Sequence, residues 1–349
     1  MKLLHSADWH LDAPIQGRTP EQTAQLRQAL LALPQKITDL AKAEHCDLML
    51  LSGDLFDGTC TAESLSAVQR ALAQANMPVF ISPGNHDPLV SGCPWHREGW
   101  PENVHIFTGP LASVSLPELD CRIYGAGFQG PGSAPLLQDF TAEGNERYRI
   151  CVVHGDPTQV SSPHNPITRA QVQASDLDYL ALGHIHKGDS FRAGKTLCAW
   201  PGCPMGRGFD ELGQKGVLIA ELNDGCQTRF MPIDGPQFHW LKAQVTTDAV
   251  SAVSAALPGA QSDDFFRVEL TGECESVDTQ AILAAFPGFP NLELRDSTVL
   301  PIDLWANADD DSLEGVFFSA LRDADAPEHI RQQAARICRQ ILLGQEAQL

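Results

Sequence analysis

Residues 47–57 read Asp47-Leu48-Met49-Leu50-Leu51-Ser52-Gly53-Asp54-Leu55-Phe56-Asp57. Four consecutive apolar side chains, Leu48 to Leu51, bounded by turn residues, predict a short strand buried on both faces. Asp54 follows directly after Ser52-Gly53. Open α/β sheets bind their ligands just past the carboxyl ends of such strands. Gly53 has no side chain and leaves room for a bulky or charged group to approach the backbone. An Asp in a strand-to-loop turn is common, so a functional reading of Asp54 depends on what the other strand ends carry.

Working outward, the same pattern recurs. Lys2 to His5 read as a first strand, followed by Ser6-Ala7-Asp8-Trp9-His10. On an extended backbone residues two apart point to one side, so Asp8 and His10 would grip an ion from one face. A carboxylate with an imidazole suits Zn, Mn or Fe better than Ca. Residues 20–45 carry Leu26, Leu30, Leu31, Ile37, Leu40 and Ala41 near helical spacing, with Pro34 expected to kink or split the helix. A second helix is expected after Thr61, striped by Ala67, Val68, Ala71 and Leu72. Pro78 to Ser82 form the next strand, ending in Pro83-Gly84-Asn85-His86-Asp87. Strand, helix, strand, helix, strand is the order of a parallel sheet with crossover helices.

Further along, 148–153 (YRICVV) form a buried strand that ends in His154-Gly155-Asp156, and 178–182 (DYLAL) form one that ends in Gly183-His184-Ile185-His186. A lone buried His is more often structural than ligating, but five strand ends releasing Asp, Asn and His together are hard to obtain by accident. Residues 88–101 read as a surface loop in which Trp95, His96, Arg97 and Trp100 either touch substrate or pack on their own domain. Apolar runs separated by Gly and Pro over 196–235 predict a second sheet, and Arg207 in its turn-rich part is a candidate phosphate contact.

Character changes near residue 236. A small strand–helix–strand–helix–strand module is expected over 236–306, after a first domain of 1–235. Residues 307–349 then form C-terminal helices, with Leu313, Val316, Phe317, Ala320 and Leu321 on one face and Ile330, Ala334, Ile337 and Ile341 on another. Those faces either dock a partner or pack on their own domain.

With 349 residues, 43% hydrophobic and 19% charged, the chain is long enough for a packed fold of more than one domain. No stretch approaches a membrane span, and the first residues lack the apolar core of a signal peptide. Ten cysteines without a CxxC pair point to reduced thiols in the cytoplasm. The net charge of -20 argues against coating nucleic acid by bulk electrostatics, though not against a nuclease. After residue 235 there are 7 Lys/Arg against 18 Asp/Glu, so that part is the poorer candidate for touching phosphates.

Asp8, His10, Asp54, Asn85, His154, His184 and His186 are more ligands than one ion needs. They suit two ions about 3.5–4 Å apart that share a carboxylate, with Asp54 on the central strand as the bridge. Such a pair acidifies bound water and stabilises charge on a phosphoryl group. His86, without a ligand slot, is free to protonate a leaving oxygen, and Asp57 or Asp87 could orient it or a ligating histidine.

Asp8-x-His10, Gly53-Asp54 with Asp57, Gly84-Asn85-His86-Asp87, His154-Gly155 and Gly183-His184-Ile185-His186 together resemble the five motifs of the calcineurin-like metallophosphoesterases. Within that superfamily, HSADWHLDAP, SGDLFD and PGCPMGRGFDELGQKG resemble the bacterial SbcD-type DNA repair exonucleases, nearest to a YhaO-like subgroup. The resemblance implies an α/β fold, a four-layer αββα sandwich with a smaller α/β capping domain. It also implies two Mn ions: one held by Asp8, His10, Asp54 and His186, the other by Asp54, Asn85, His154 and His184, with His86 acting on the leaving group. Archaeal and eukaryotic relatives carry His where this chain has Asp57. The implied activity is Mn-dependent exonucleolytic cleavage of DNA ends in double-strand-break repair, with room for endonucleolytic cleavage as well, by a homodimer with an SbcC-type coiled-coil ATPase. Two alternatives stay open: a small-molecule (cyclic nucleotide) phosphodiesterase or phosphatase on the same site, and a non-catalytic scaffold protein of an ATPase complex.

Overall fold

The structure is a computed structural model that describes residues 1–246, 248–301 and 303–342. Positions 247 and 302 of the expected small module, and 343–349 of the expected C-terminal segment, lie outside the described residues.

In chain order the first part comprises β1 (Lys2–Ser6), α1 (Pro20–Ala43), β2 (Leu48–Leu51), α2 (Ala62–Ala73), β3 (Val79–Ile81), β4 (Val104–Ile106), β5 (Ala112–Leu116), β6 (Cys121–Gly125), β7 (Tyr148–His154), α3 (Arg169–Ala174), β8 (Tyr179–Gly183), β9 (Lys187–Ala193), β10 (Thr196–Gly202), β11 (Gly216–Leu222) and β12 (Cys226–Pro232). Helix α1 starts with a full capping box, Thr19 with Gln22, which satisfies its first backbone donors. It runs through Pro34 as a single helix, so the expected split does not occur. Pro34 is buried on the face that packs against the sheet.

Two six-stranded sheets form, with orders β12-β11-β1-β2-β3-β4 and β5-β6-β7-β8-β10-β9. β1, β2, β3 and β4 are mutually parallel, as are β6, β7, β8 and β10. Side chains alternate across β2. Leu48 and Leu50 join the core with Ile123, Ile150, Val152 and Tyr179 of the other sheet, whereas Met49 and Leu51 pack with Leu26, Leu33, Ile37, Val68 and Leu72 of α1 and α2. On its outer side the second sheet packs against α3 through Val153, Val172, Leu180 and Leu182. The layers are thus helix, sheet, sheet, helix, and each core strand is apolar on both faces because both are covered. Parallel strands in register bring the carboxyl ends of β1, β2, β3, β7 and β8 together.

Between the sheets lies a polar exception. His5 is fully buried, with Nδ1 2.8 Å from the Tyr179 hydroxyl and Nε2 2.8 Å from the Ser52 Oγ. Burial lowers the imidazole to about 3.

The rest of the chain comprises β13 (Phe238–Val245), α4 (Ala249–Ala256), β14 (Phe265–Gly272), α5 (Thr279–Ala284), β15 (Leu292–Asp296), α6 (Leu313–Arg322) and α7 (Glu328–Leu342). The three strands form one sheet in the order β13-β14-β15. By internal contacts the chain divides into two units. One holds Met1–Trp240, Ser262–Arg267 and Phe289–Leu292; the other holds Leu241–Gln261, Val268–Gly288 and Glu293–Leu349. The dividing line cuts through the small sheet, and the C-terminal helices share a unit with most of the small module. Within that second unit Phe318 and Ala335 are buried with Leu304 and Ala308. Leu313, Val316, Phe317 and Ile341 stay exposed, whereas Leu321 of the same predicted face packs against this cluster, so the expected faces are only partly covered.

Candidate metal centre

Asp8, His10, Asp54 and His184 all have positive φ, at 57°, 47°, 53° and 99°. Non-glycine residues rarely adopt this region, and such strain gathers at functional sites. Asp8 and His10 therefore do not lie on an extended backbone. The chain turns left-handed at each, and Asp8 and His10 N–H groups donate to the Gly53 and Asp54 carbonyls at 3.0 and 2.9 Å. The turns after β1 and β2 are laced together, which holds both side chains toward one point despite the local cost.

Glycines make this closeness possible. A Cβ on Gly84 would fall 2.2 Å from Asp54 Oδ1, and one on Gly53 would fall 2.6 Å from His154 Nδ1. Only a residue without a side chain fits at either place.

All seven sequence-expected ligands converge. Asp8, His10 and His186 offer ligand atoms within 4.8 Å of one another, as do Asp54, His154 and His184. His10 Nε2 lies 3.0 Å from His186 Nε2 and 3.8 Å from Asp54 Oδ2. His154 Nε2 lies 3.2 Å from Asp54 Oδ2 and 2.9 Å from Asn85 Oδ1. His184 Nδ1 is 3.1 Å from the same Asn85 oxygen. Asp54 thus stands between the two groups. Its other oxygen, Oδ1, accepts the His86 backbone N–H at 2.9 Å, and the Asp8 carboxylate accepts that of His184.

The electrostatics of the cluster fit a cation. Burial pushes the Asp8 carboxyl up to about 6, opposed by the nearby His154. Burial would raise Asp54 too, but His154, by charge and hydrogen bond, holds it well below the usual carboxylate range. Burial works against a charge on His154, yet Asp54 outweighs it and draws the imidazole up to about 9. Asp54 thus attracts positive charge into the cluster, where a metal ion would supply it. Burial lowers His10 to about 2 and His184 to about 4, leaving both as neutral lone-pair donors. Carboxylate, amide and imidazole donors within a few ångströms suit divalent first-row metals.

His86 stands at the rim, its side chain about half exposed, with Nδ1 2.6 Å from Asp57 Oδ1. Its ring meets His10 edge-on at a centroid distance of 4.8 Å. Asp87 takes a different role from Asp57. It is buried and accepts backbone N–H groups of Gly84, Asp54, Leu55 and Phe56, so it ties the β2 and β3 turns together rather than touching a histidine. Trp95 is buried in the core beside Phe56 and stacks on Trp100, so this pair packs within its own unit.

Arg207 lies near the cluster, but its guanidinium is engaged. Nη2 donates to Glu211 Oε1 at 2.8 Å and Nε to Oε2 at 3.3 Å. Glu211 is only 4% exposed and Oε1 also lies 2.6 Å from His186 Nδ1. Burial opposes its charge, but the bonds to His186 and Arg207 hold it well below the usual glutamate range. Nothing in the spacing of Gly208-Phe209-Asp210-Glu211 marks Glu211 out; a carboxylate in a turn 25 residues past His186 reads as solvated.

The family described as calcineurin-like phosphoesterase matches residues 1–188. The chain is 32% identical over 246 residues to the Bacillus subtilis protein named "Uncharacterized metallophosphoesterase YhaO", covering 64% of this chain and 58% of that protein. It therefore spans less than two thirds of that relative. It is 26% identical over 284 residues to the SbcD component of the SbcCD nuclease of Bacillus subtilis, covering 67% of this chain and 69% of that one. Among solved structures, a dimetal phosphatase from Danio rerio superposes on 67% of this chain and 98% of its own, with 12% identity and a TM-score of 0.42. With a match over more than half its length and the converging ligand set, the chain belongs to the calcineurin-like phosphoesterase family.

Proposed function

We propose that this chain is a Mn-dependent DNA phosphodiesterase of the SbcD type, cleaving DNA ends in double-strand-break repair. The observation that carries this reading is the double cluster around Asp54, with the half-exposed His86 beside His10 and Asp54 at its rim. Asp8, His10, Asp54 and His186 would hold one ion, and Asp54, Asn85, His154 and His184 the other. A pair of divalent ions held by these residues would supply an acidified bound water and positive charge for the phosphoryl oxygens. Asp57 accepts from His86 Nδ1 and fixes the ring, so that the imidazolium form, with hydrogen on both nitrogens, can give its Nε2 proton to the departing sugar oxygen and keep the one on Nδ1. Asp87 ties the turn that carries Asn85 and His86 to the turn that carries Asp54.

The named SbcD relatives support the substrate, and the exposed apolar stripe on α6 and α7 supports a partner. Leu313, Phe317, Cys338, Ile341 and Leu342 line an apolar cleft of about 600 Å³, which we assign to an SbcC-type coiled-coil ATPase, with the nuclease as a homodimer. No helix among the described residues is long and apolar enough to cross a membrane. The ten free cysteines support a reducing compartment, which we take to be the cytoplasm.

The test is digestion of end-labelled duplex and hairpin DNA with Mn, comparing wild type with His86→Ala. Shortening by the wild type and its loss in the variant are expected; wild-type protein that never shortens DNA, alone or with its ATPase, would reject the DNA reading. The charge of -20 favours one competitor, a small phosphodiester such as a cyclic nucleotide. Cleavage of bis-p-nitrophenyl phosphate and cyclic nucleotides without any DNA product would establish it.

A further inference from the structure

We propose that Glu211 and Arg207 form a positioning pair that decides which nitrogen of His186 faces the metal centre. His186 offers two ring nitrogens, and only one can carry the lone pair a metal needs. Nδ1 lies 2.6 Å from Glu211 Oε1, and Nε2 lies 3.0 Å from His10 Nε2. Glu211 Oε1 is far nearer to Nδ1 than the Arg207 Nη2 donor at 3.4 Å, and a carboxylate only accepts hydrogen bonds, so Nδ1 carries the hydrogen and Nε2 keeps its lone pair toward the cluster. A carboxylate behind a ligating imidazole fixes both tautomer and ring orientation and makes the imidazole a better donor.

Glu211 is itself braced. Its Oε2 accepts the Arg207 backbone N–H at 2.8 Å, and the guanidinium forks across both oxygens. The Arg207 side chain is 20% exposed and that of Glu211 4%. A carboxylate buried so deeply without this cation would be strongly destabilising. The turn that carries the pair is tight. Glu211 N–H donates to the Gly208 carbonyl at 3.1 Å, and a Cβ on Gly206 would fall 2.6 Å from the Glu211 carbonyl oxygen. Cys203, at the start of this segment, donates its thiol to the His186 carbonyl. Both ends of His186, backbone and ring, are therefore held by residues 203–211, which lie beyond the 1–188 span matched to the family. Arg207, expected from sequence to meet a phosphate, is assigned here to Glu211 instead.

The inference rests on the two-ion reading, and the experiment separates the two. Mn titration of the full chain, followed by the EPR signal of free Mn, should give two bound ions in the wild type. Glu211→Gln should keep one ion at wild-type affinity and bind the other roughly 10–100-fold more weakly. Hydrolysis of bis-p-nitrophenyl phosphate by the variant should recover its kcat when Mn is raised, with KM unchanged, which a general loss of structure would not do. Arg207→Lys keeps the charge but loses the fork, and should weaken the same ion to a lesser degree; it serves also if Glu211→Gln does not fold. Equal affinity for both ions in wild type and variants would overturn the positioning role while leaving the two-ion centre intact. A wild type that binds no pair of Mn ions would overturn both.

Discussion

Asp57 Oδ1 and His86 Nδ1 lie 2.6 Å apart at the rim of the cluster, and neither belongs to the seven converging ligands. The contact joins the turn after β2 to the turn after β3. In the proposed mechanism it orients His86 as a proton donor, so the two residues should matter only when the leaving group needs a proton. His86→Ala should cut DNA cleavage about 10²–10⁴-fold, and Asp57→Asn by less. Both should leave hydrolysis of bis-p-nitrophenyl phosphate nearly intact, because nitrophenolate departs unprotonated. Steady-state rates on the two substrates check this; equal losses on both would remove His86 from the proton-transfer role.

Asp54 is shared by both halves of the cluster, so its removal should abolish the response to metal as a whole. Wild-type protein should melt at a higher temperature with Mn than with EDTA, since a ligand at a hundred times its Kd adds about 2.7 kcal/mol. Asp54→Ala should melt at the same temperature in both. Thermal scans at two Mn concentrations decide the matter, and a retained Mn-dependent rise in the variant would place the shared ligand elsewhere.

Gly84→Ala tests the close approach of the β2 and β3 turns. The added methyl would meet the Asp54 carboxylate at 2.2 Å and the Asp54 backbone nitrogen at 2.8 Å. The backbone cannot swing away as a side chain can, so a destabilisation of about 1–3 kcal/mol is expected, together with weaker Mn binding. Urea unfolding and Mn titration measure the two effects. A variant with wild-type stability and Mn affinity would mean that the turns have slack that the structure does not show.

His5 gives the fold a dependence on pH that is separate from catalysis. Its folded-state pKa of about 3 lies below its ordinary value of 6.5 because burial disfavours the charge. Above pH 6.5 the group is neutral in both folded and unfolded chains and costs nothing. As pH falls from 6.5 toward 3, the unfolded chain takes up a proton that the folded one refuses, and stability drops by roughly 1.4 kcal/mol per pH unit. Urea unfolding at pH 7 and pH 5 should therefore show a steeper loss for the wild type than for His5→Gln, which cannot titrate. Parallel slopes would show that His5 already takes up its proton in the folded state.

Most of the candidate metal centre was legible because its parts sit at predictable places. Apolar runs such as 48–51, 148–153 and 178–182 can only be covered strands, and their ends carry Asp54, His154, His184 and His186 in the sequence itself. The loop of Trp95 and Trp100 could be read either way, since an aromatic looks the same in sequence whether it meets a ligand or its own core. Asp57 and Asp87 likewise looked interchangeable. Their division of labour, one carboxylate on His86 and the other on four backbone N–H groups, depends on which way each turn faces.

What the amino-acid order determined alone was the strand-by-strand delivery of acids, amide and imidazoles, because hydrophobic periodicity and turn chemistry act over a few residues. The tertiary structure alone decided the left-handed backbone at Asp8 and His10, the burial of His5 between sheets, and the pairing of Glu211 with His186. Those depend on segments far apart along the chain meeting at bonding distance, and no local pattern records a meeting that only packing brings about.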